Sequence, residues 1–399
     1  MLRYHGIFRS LIKIHQNTSK LPGHIFRYDS LTEKFVSADR KWLKVWFFLL
    51  ASVGCINFIN LMSNLMHGSL VDYSFSFVNL IGIVCATCYL YFNSFTRNDE
   101  TTTDLLNGFL KLERTFEKDG QLNNLEKRSF AKFICQLFVL TESTIPWLFG
   151  IGAGLMPCSQ LNLLAVLNPV CSLTSGSEST ETRGFLMVLL KGIELLTFGI
   201  ANGMISKATL GTGILVCVHI LAACLCQKSS LEIFFGKYAK MGMSQFRIYR
   251  QLQLLNKYFN EAHVGVIFIT MMTCSLVQTC VAYVIAGILT TATPTLSVPV
   301  VFVDLALLVD TTLISLYIFG KAGEVYSLSS GVLIKAQSST LNRSTRARKV
   351  RLKFFKSCAP LKVYFGINNF IEKETPLKFL NFSIDRFVDL LLLGTERYA

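Results

Sequence analysis

Apolar runs long enough to cross a bilayer, broken by short connections, set the pattern of this chain. A transmembrane helix needs roughly 20 predominantly apolar residues. Runs of that order lie at about Leu43 to Met66, Tyr73 to Phe95, Phe130 to Leu155, Phe185 to Cys226, His263 to Leu289 and Ser297 to Phe319. A weaker, more polar run covers Leu377 to Leu393. The pattern predicts an all-α, polytopic membrane protein with seven transmembrane helices.

The fourth run is overlong, because about 42 residues of helix extend roughly 63 Å, about twice a bilayer. Charge decides between a hairpin and one projecting helix, since cytoplasmic connections collect Lys and Arg. These residues number eight before Leu43, none in 67–72, seven in 96–132, one in 157–184, six in 227–262, none in 291–296 and twelve in 320–378. The counts alternate throughout if the fourth run crosses once, whereas splitting it at 201–213 would place both later basic connections outside. The expected topology has a cytoplasmic N-terminal segment at 1–42 and a seven-helix domain at 43–394. Cytoplasmic helical extensions are expected at about 207–262 and 320–376, and an extracellular tail at 395–399. A G-protein-coupled receptor has the opposite orientation. Met1 to Gln16 is basic but lacks an apolar core and a small-residue cleavage site, so no removable signal peptide is read there, and the first span serves as the insertion signal.

Composition agrees with a membrane protein. Of 399 residues, 51% are hydrophobic, 12% aromatic and 16% charged, the formal charge is +14 and mean hydropathy is +0.45; a soluble domain carries roughly a quarter charged residues. Asn342 to Lys356 holds seven Lys and Arg and no acid. In a soluble protein that run would suggest nucleic acid. Here it lies in the largest inner connection, where it reads as a topology signal with contact to anionic lipid, and no nucleic acid is expected.

Motifs of enzyme chemistry are missing from the sequence: there is no H-E-x-x-H, no G-x-S-x-G and no Walker lysine, so no enzyme, cofactor or metal is expected. Gly150 to Gly154 reads as helix packing. Cys85 and Cys88 form a lone C-x-x-C within a span. Cys158 and Cys171 share the long outer connection, an oxidising setting that permits a disulfide and leaves its presence open. The sequons at Asn17, Asn342 and Asn381 fall inside or at the membrane and should be unglycosylated.

Ionisable residues within spans are costly and mark cavities or partners. Lys191 and Glu194 sit three apart, so either they neutralise each other or they face a cavity. Asp304 and Asp310, six apart, point different ways. In the last run, Asn381, Asp385 and Asp389 recur every four residues, so at about 100° per residue they drift only about 80° and make one polar stripe. They are read as pore-facing; the alternative is an Arg386–Asp389 pair against a neighbouring helix. On the amphipathic extension before the fifth span, Leu252, Leu255 and Phe259 recur at helical spacing and are read as a subunit-assembly stripe. Tyr73, Phe77, Trp147, Phe198 and Tyr283 lie at compatible depths in the outer half of their spans and are read as an aromatic ligand pocket.

The architecture, together with Tyr249 to Asn260 ("YRQLQLLNKYFN") and Ser357 to Leu393, resembles the gustatory and odorant receptor superfamily, the seven-span chemoreceptors of insects and other arthropods. Gustatory receptors often carry Thr-Tyr, five residues and Gln-Phe in the last span, where this chain has Arg386-Phe387 and Leu393-Gly394. The resemblance implies a tetrameric, ligand-gated, non-selective cation channel in the plasma membrane of sensory neurons. Homomeric or heteromeric with related subunits, it would have the last helix lining one pore, cytoplasmic helix ends holding the tetramer, and a small molecule bound in each subunit. A transporter or a multi-span protein without channel activity is the alternative. Internal repeats with paired broken helices, expected of a transporter, are not seen between the halves.

Overall fold

The computed structural model describes residues 26–29, 32–37, 40–65, 70–95, 98–118, 216–232, 243–290, 298–339 and 345–395, with scattered helical positions between 133 and 147 and between 200 and 214. Cys158, Cys171, Phe198, Lys191, Glu194, Gly150 to Gly154, Asn17 and Asn342 lie outside the described residues.

The first two apolar runs form α1 (Arg40–Leu65) and α2 (Leu70–Phe95), packed on one another. The fifth run continues its amphipathic approach without a break as α4 (Met243–Thr290), a single helix of 48 residues. At 1.5 Å per residue it extends about 72 Å, so a large part must project beyond a bilayer. Helix α5 (Val298–Leu313) passes through a π-helical turn, Ile314–Ile318, into α6 (Phe319–Ser339). The last run is α8 (Thr375–Thr395). Among the described residues, three stretches are long and apolar enough to cross a membrane: Lys41–Ile59, Arg247–Gly287 and Asp304–Ser338. Large apolar side chains such as Trp42, Phe48 and Ile59 on α1 are more than half exposed in the isolated chain, as expected where lipid covers them.

One connection holds a helix that span length did not announce: α3 (Asn98–Lys118) occupies the first basic connection. Helix α7 (Thr345–Ser357), within the extension expected at 320–376, carries the Arg-rich run. The chain is also not purely helical. Strands β1 (Phe26–Asp29) and β2 (Lys34–Ser37) pair antiparallel, with Phe26 opposite Ser37. Asn107 of α3 extends that ladder: its Oδ1 accepts from the Phe35 amide (2.9 Å) and its Nδ2 donates to the Phe35 carbonyl (3.0 Å).

Helix α4 is the spine, touching α2, α3, α5 and α8. Its polar stripe Tyr249, Gln253, Asn256, Asn260 grips the segment that leads into α8. Tyr249 Oη and Gln253 Nε2 donate to the Ala359 carbonyl (3.0 and 2.8 Å), and Asn256 and Asn260 Nδ2 both donate to that of Lys362 (2.9 and 2.8 Å). The amide of Tyr364 donates to Asn260 Oδ1 (2.9 Å). Burial pushes the Tyr249 phenol well above its ordinary value, so it acts as a neutral donor. The gripped segment then turns at Gly366, whose φ of +77° suits glycine, and returns through the Tyr364–Phe370 bridge. The two stretches that carry the family resemblance are therefore in direct contact.

Candidate functional site

Within the helix bundle is a cavity of about 200 Å³, bounded by α2, α4, α5, the π-helical turn and, between 209 and 217, by Thr209, Gly213, Ile214, Val216 and Cys217. Small residues create it. Gly82 and Ala86 on α2 face the region of Gly213 and Cys217, so the helices approach while the space between their side chains stays open. A Cβ added at Gly213 would meet nothing within 4 Å. The apolar wall includes Tyr89, Phe92 and Phe138. Its polar groups are threonines, cysteines, Tyr89 and one carboxyl, Asp310, which is 8% exposed and bonded to Thr141. Asp304, six residues earlier, is buried and lies outside the cavity lining, as their different directions require.

Of the aromatic residues selected from the sequence, the side chains of Trp147 and Tyr283 are described. Trp147 is 61% exposed and Tyr283 is half-buried, and neither lines the cavity. Tyr73 and Phe77 belong to α2, but their side chains are outside the description. The cavity begins farther along α2, at Gly82, and on α4 spans Val266 to Val277, short of Tyr283. Trp147 and Tyr283 are conspicuous in a sequence, whereas a space left by glycine, alanine and threonine is not.

On α8, Ser383 is buried: its hydroxyl is 2.8 Å from that of Ser275 on α4, and its carbonyl accepts from Thr279 Oγ1 (3.2 Å). Asp385 and Asn381 are each two residues away, about 200° around the helix. They and Asp389 are exposed, so the polar stripe faces away from the subunit's own bundle. Arg386 and Asp389 do pair, at 2.9 Å, on this exposed side rather than against a neighbouring helix.

The stripe read as a subunit-assembly surface is differently placed. Leu252 and Phe259 are wholly buried within the single chain, Phe259 stacked on His263 with ring centroids 4.8 Å apart, and Leu255 lies half-buried against Gly108 of α3. Intrachain packing has taken that face, with α3 set against Leu255. The outward side of the same helix carries Leu254 and Tyr258.

No protein-family model matches the sequence, and no curated protein matches it. Solved structures do. The olfactory receptor OR5 of the insect Machilis hrabei in complex with eugenol is similar at 14% identity and a TM-score of 0.57, over 97% of each chain. A second structure of that receptor is similar at 13% identity and a TM-score of 0.60, again over 97% of each. At this identity the likeness establishes a shared fold, that of an insect olfactory receptor, along nearly the whole length.

Proposed function

We propose that this chain is a chemosensory receptor subunit, a ligand-gated cation channel opened by small molecules that occupy the cavity between α2, α4, α5 and positions 209–217. The observation that carries the reading is a mostly apolar cavity inside a helix bundle of olfactory-receptor fold. The similar receptor binds eugenol, a small aromatic molecule of the scale such a cavity suits. Four subunits, identical or related, surround one pore, with α8 from each turning Asn381, Asp385 and Asp389 toward the axis. Rings of carboxylate there favour cations. The N-terminus is cytoplasmic and the C-terminus extracellular, in keeping with the charge alternation, and the protein resides in the plasma membrane of sensory neurons. In that orientation the cavity sits in the inner half of the bilayer.

Voltage-clamp recording from cells expressing the full chain, with and without a related subunit, tests this against a panel of single-ring volatiles. Inward cation current is expected. Gly213→Leu, which adds bulk at a residue lining the cavity, should remove the response at unchanged surface expression. A response that survives Gly213→Leu at full size would place the ligand elsewhere, and a surface-expressed tetramer that never conducts would sink the channel.

A further inference from the structure

The described lining of the cavity accepts hydrogen bonds and has little to donate. Every threonine that lines it has already spent its single proton on its own helix. Thr209 donates to the Ile205 carbonyl (2.9 Å), Thr270 to Val266 (2.8 Å), Thr273 to Ile269 (2.8 Å) and Thr311 to Leu307 (2.7 Å). With the Thr273 proton committed, the contact between Cys85 Sγ and Thr273 Oγ1 has the thiol as donor, which uses that proton too. What these groups turn toward the cavity is lone pairs. Asp310 adds a carboxylate, which accepts only. Its bond with Thr141 relieves it in part, and among the described residues no Lys, Arg or His forms an ion pair with it. Among the described lining residues, apart from weak thiols, the phenol of Tyr89 is the one group free to turn either way.

A neutral ligand bearing a carbonyl or ether oxygen would find almost nothing here to bond it. A protonated amine meets the opposite situation: several acceptors, a carboxylate in need of a counter-charge, and the faces of Tyr89, Phe92 and Phe138, which attract cations. Resting on the proposal that this cavity is the ligand site, we infer that its ligands are small aromatic or aliphatic amines, bound as ammonium ions with Asp310 as the counter-ion.

The test compares phenethylamine with phenethyl alcohol, which differ by an ammonium in place of a hydroxyl, on the purified full-length protein. The reading is the ligand concentration giving half-maximal thermal stabilisation. The amine should act at about tenfold lower concentration, the scale of one charge-assisted hydrogen bond, and Asp310→Asn should erase that advantage over the alcohol. The wild-type comparison needs no variant, so misfolding of Asp310→Asn cannot mask the result. An alcohol as potent as the amine, an amine advantage that persists in Asp310→Asn, or no stabilisation by either compound overturns the inference. Stabilisation by the alcohol alone, abolished by Gly213→Leu, would reject the amine class and keep the cavity as ligand site. Stabilisation by either compound that survives Gly213→Leu would reject both.

Discussion

Asn260 makes two bonds that point in opposite chemical directions: its amide nitrogen donates to the Lys362 carbonyl and its oxygen accepts from the Tyr364 amide. Asn260→Ala leaves that amide without its partner, a loss of about 1–3 kcal/mol, and Asn260→Asp should recover part of it because the accepting oxygen remains. Thermal unfolding of the detergent-solubilised protein measures both. Gly323 is a second position where a single atom matters. A Cβ there would lie 2.6 Å from the carbonyl carbon and oxygen of Glu372, backbone that cannot rotate away. Gly323→Ala is expected to cost about 1–3 kcal/mol by overpacking, and to loosen the junction between α6 and the entry to α8. A variant as stable as the parent would show that this junction yields.

At the scale of elements, α8 has two faces with different work. Ser383 fastens it to α4, while Asn381, Asp385 and Asp389 stay outside the subunit. Changing Asp385 and Asp389 to Asn should therefore leave surface expression intact and lower single-channel conductance or calcium permeability; unchanged permeation would remove both from the conduction path. On the extension expected at 320–376, Glu324 of α6 ties this helix to Lys228 of the 216–232 segment and to Lys321 (2.6 Å from the latter). Burial alone would raise the Glu324 carboxyl, but hydrogen bonds from Lys228 and Lys321 outweigh it and hold it below its ordinary value. A depressed carboxyl contributes stability that is complete above the ordinary carboxylate range and lost as pH falls through its lowered value. Acidification should thus lower the unfolding temperature more in the parent than in Glu324→Gln, and equal slopes would mean the cluster is not formed.

Assembly belongs to the whole molecule. Because Leu252 and Phe259 are committed to the subunit's own core, Phe259→Asp should unfold the subunit by burying an unpaired charge. Leu254 and Tyr258 are 56% and 47% exposed on the same helix, and in water such apolar area gains free energy only when another surface covers it. Leu254→Asp with Tyr258→Asp should leave a folded subunit that no longer forms a tetramer on a native gel. A tetramer retained by that pair would put the contacts on another face.

Apolar run length and the alternation of basic connections were enough to locate α1, α2, α4, α5 and α8, because crossing a bilayer imposes a length and a composition on each helix independently of its neighbours. The polar stripe of α8 was legible for the same reason, as a departure from what lipid tolerates. Tertiary structure alone decided the rest. The strand pair at 26–37 takes its third partner from Asn107, more than 70 residues away. The stripe Tyr249, Gln253, Asn256, Asn260 has a helical spacing that a sequence displays, but its partners lie about 105 residues farther on, and a spacing names no partner. The cavity is hardest to foresee, since it is where side chains from separate helices are absent. Which face of α4 became core and which stayed outward was settled by the elements packed on it, α2, α3, α5 and α8.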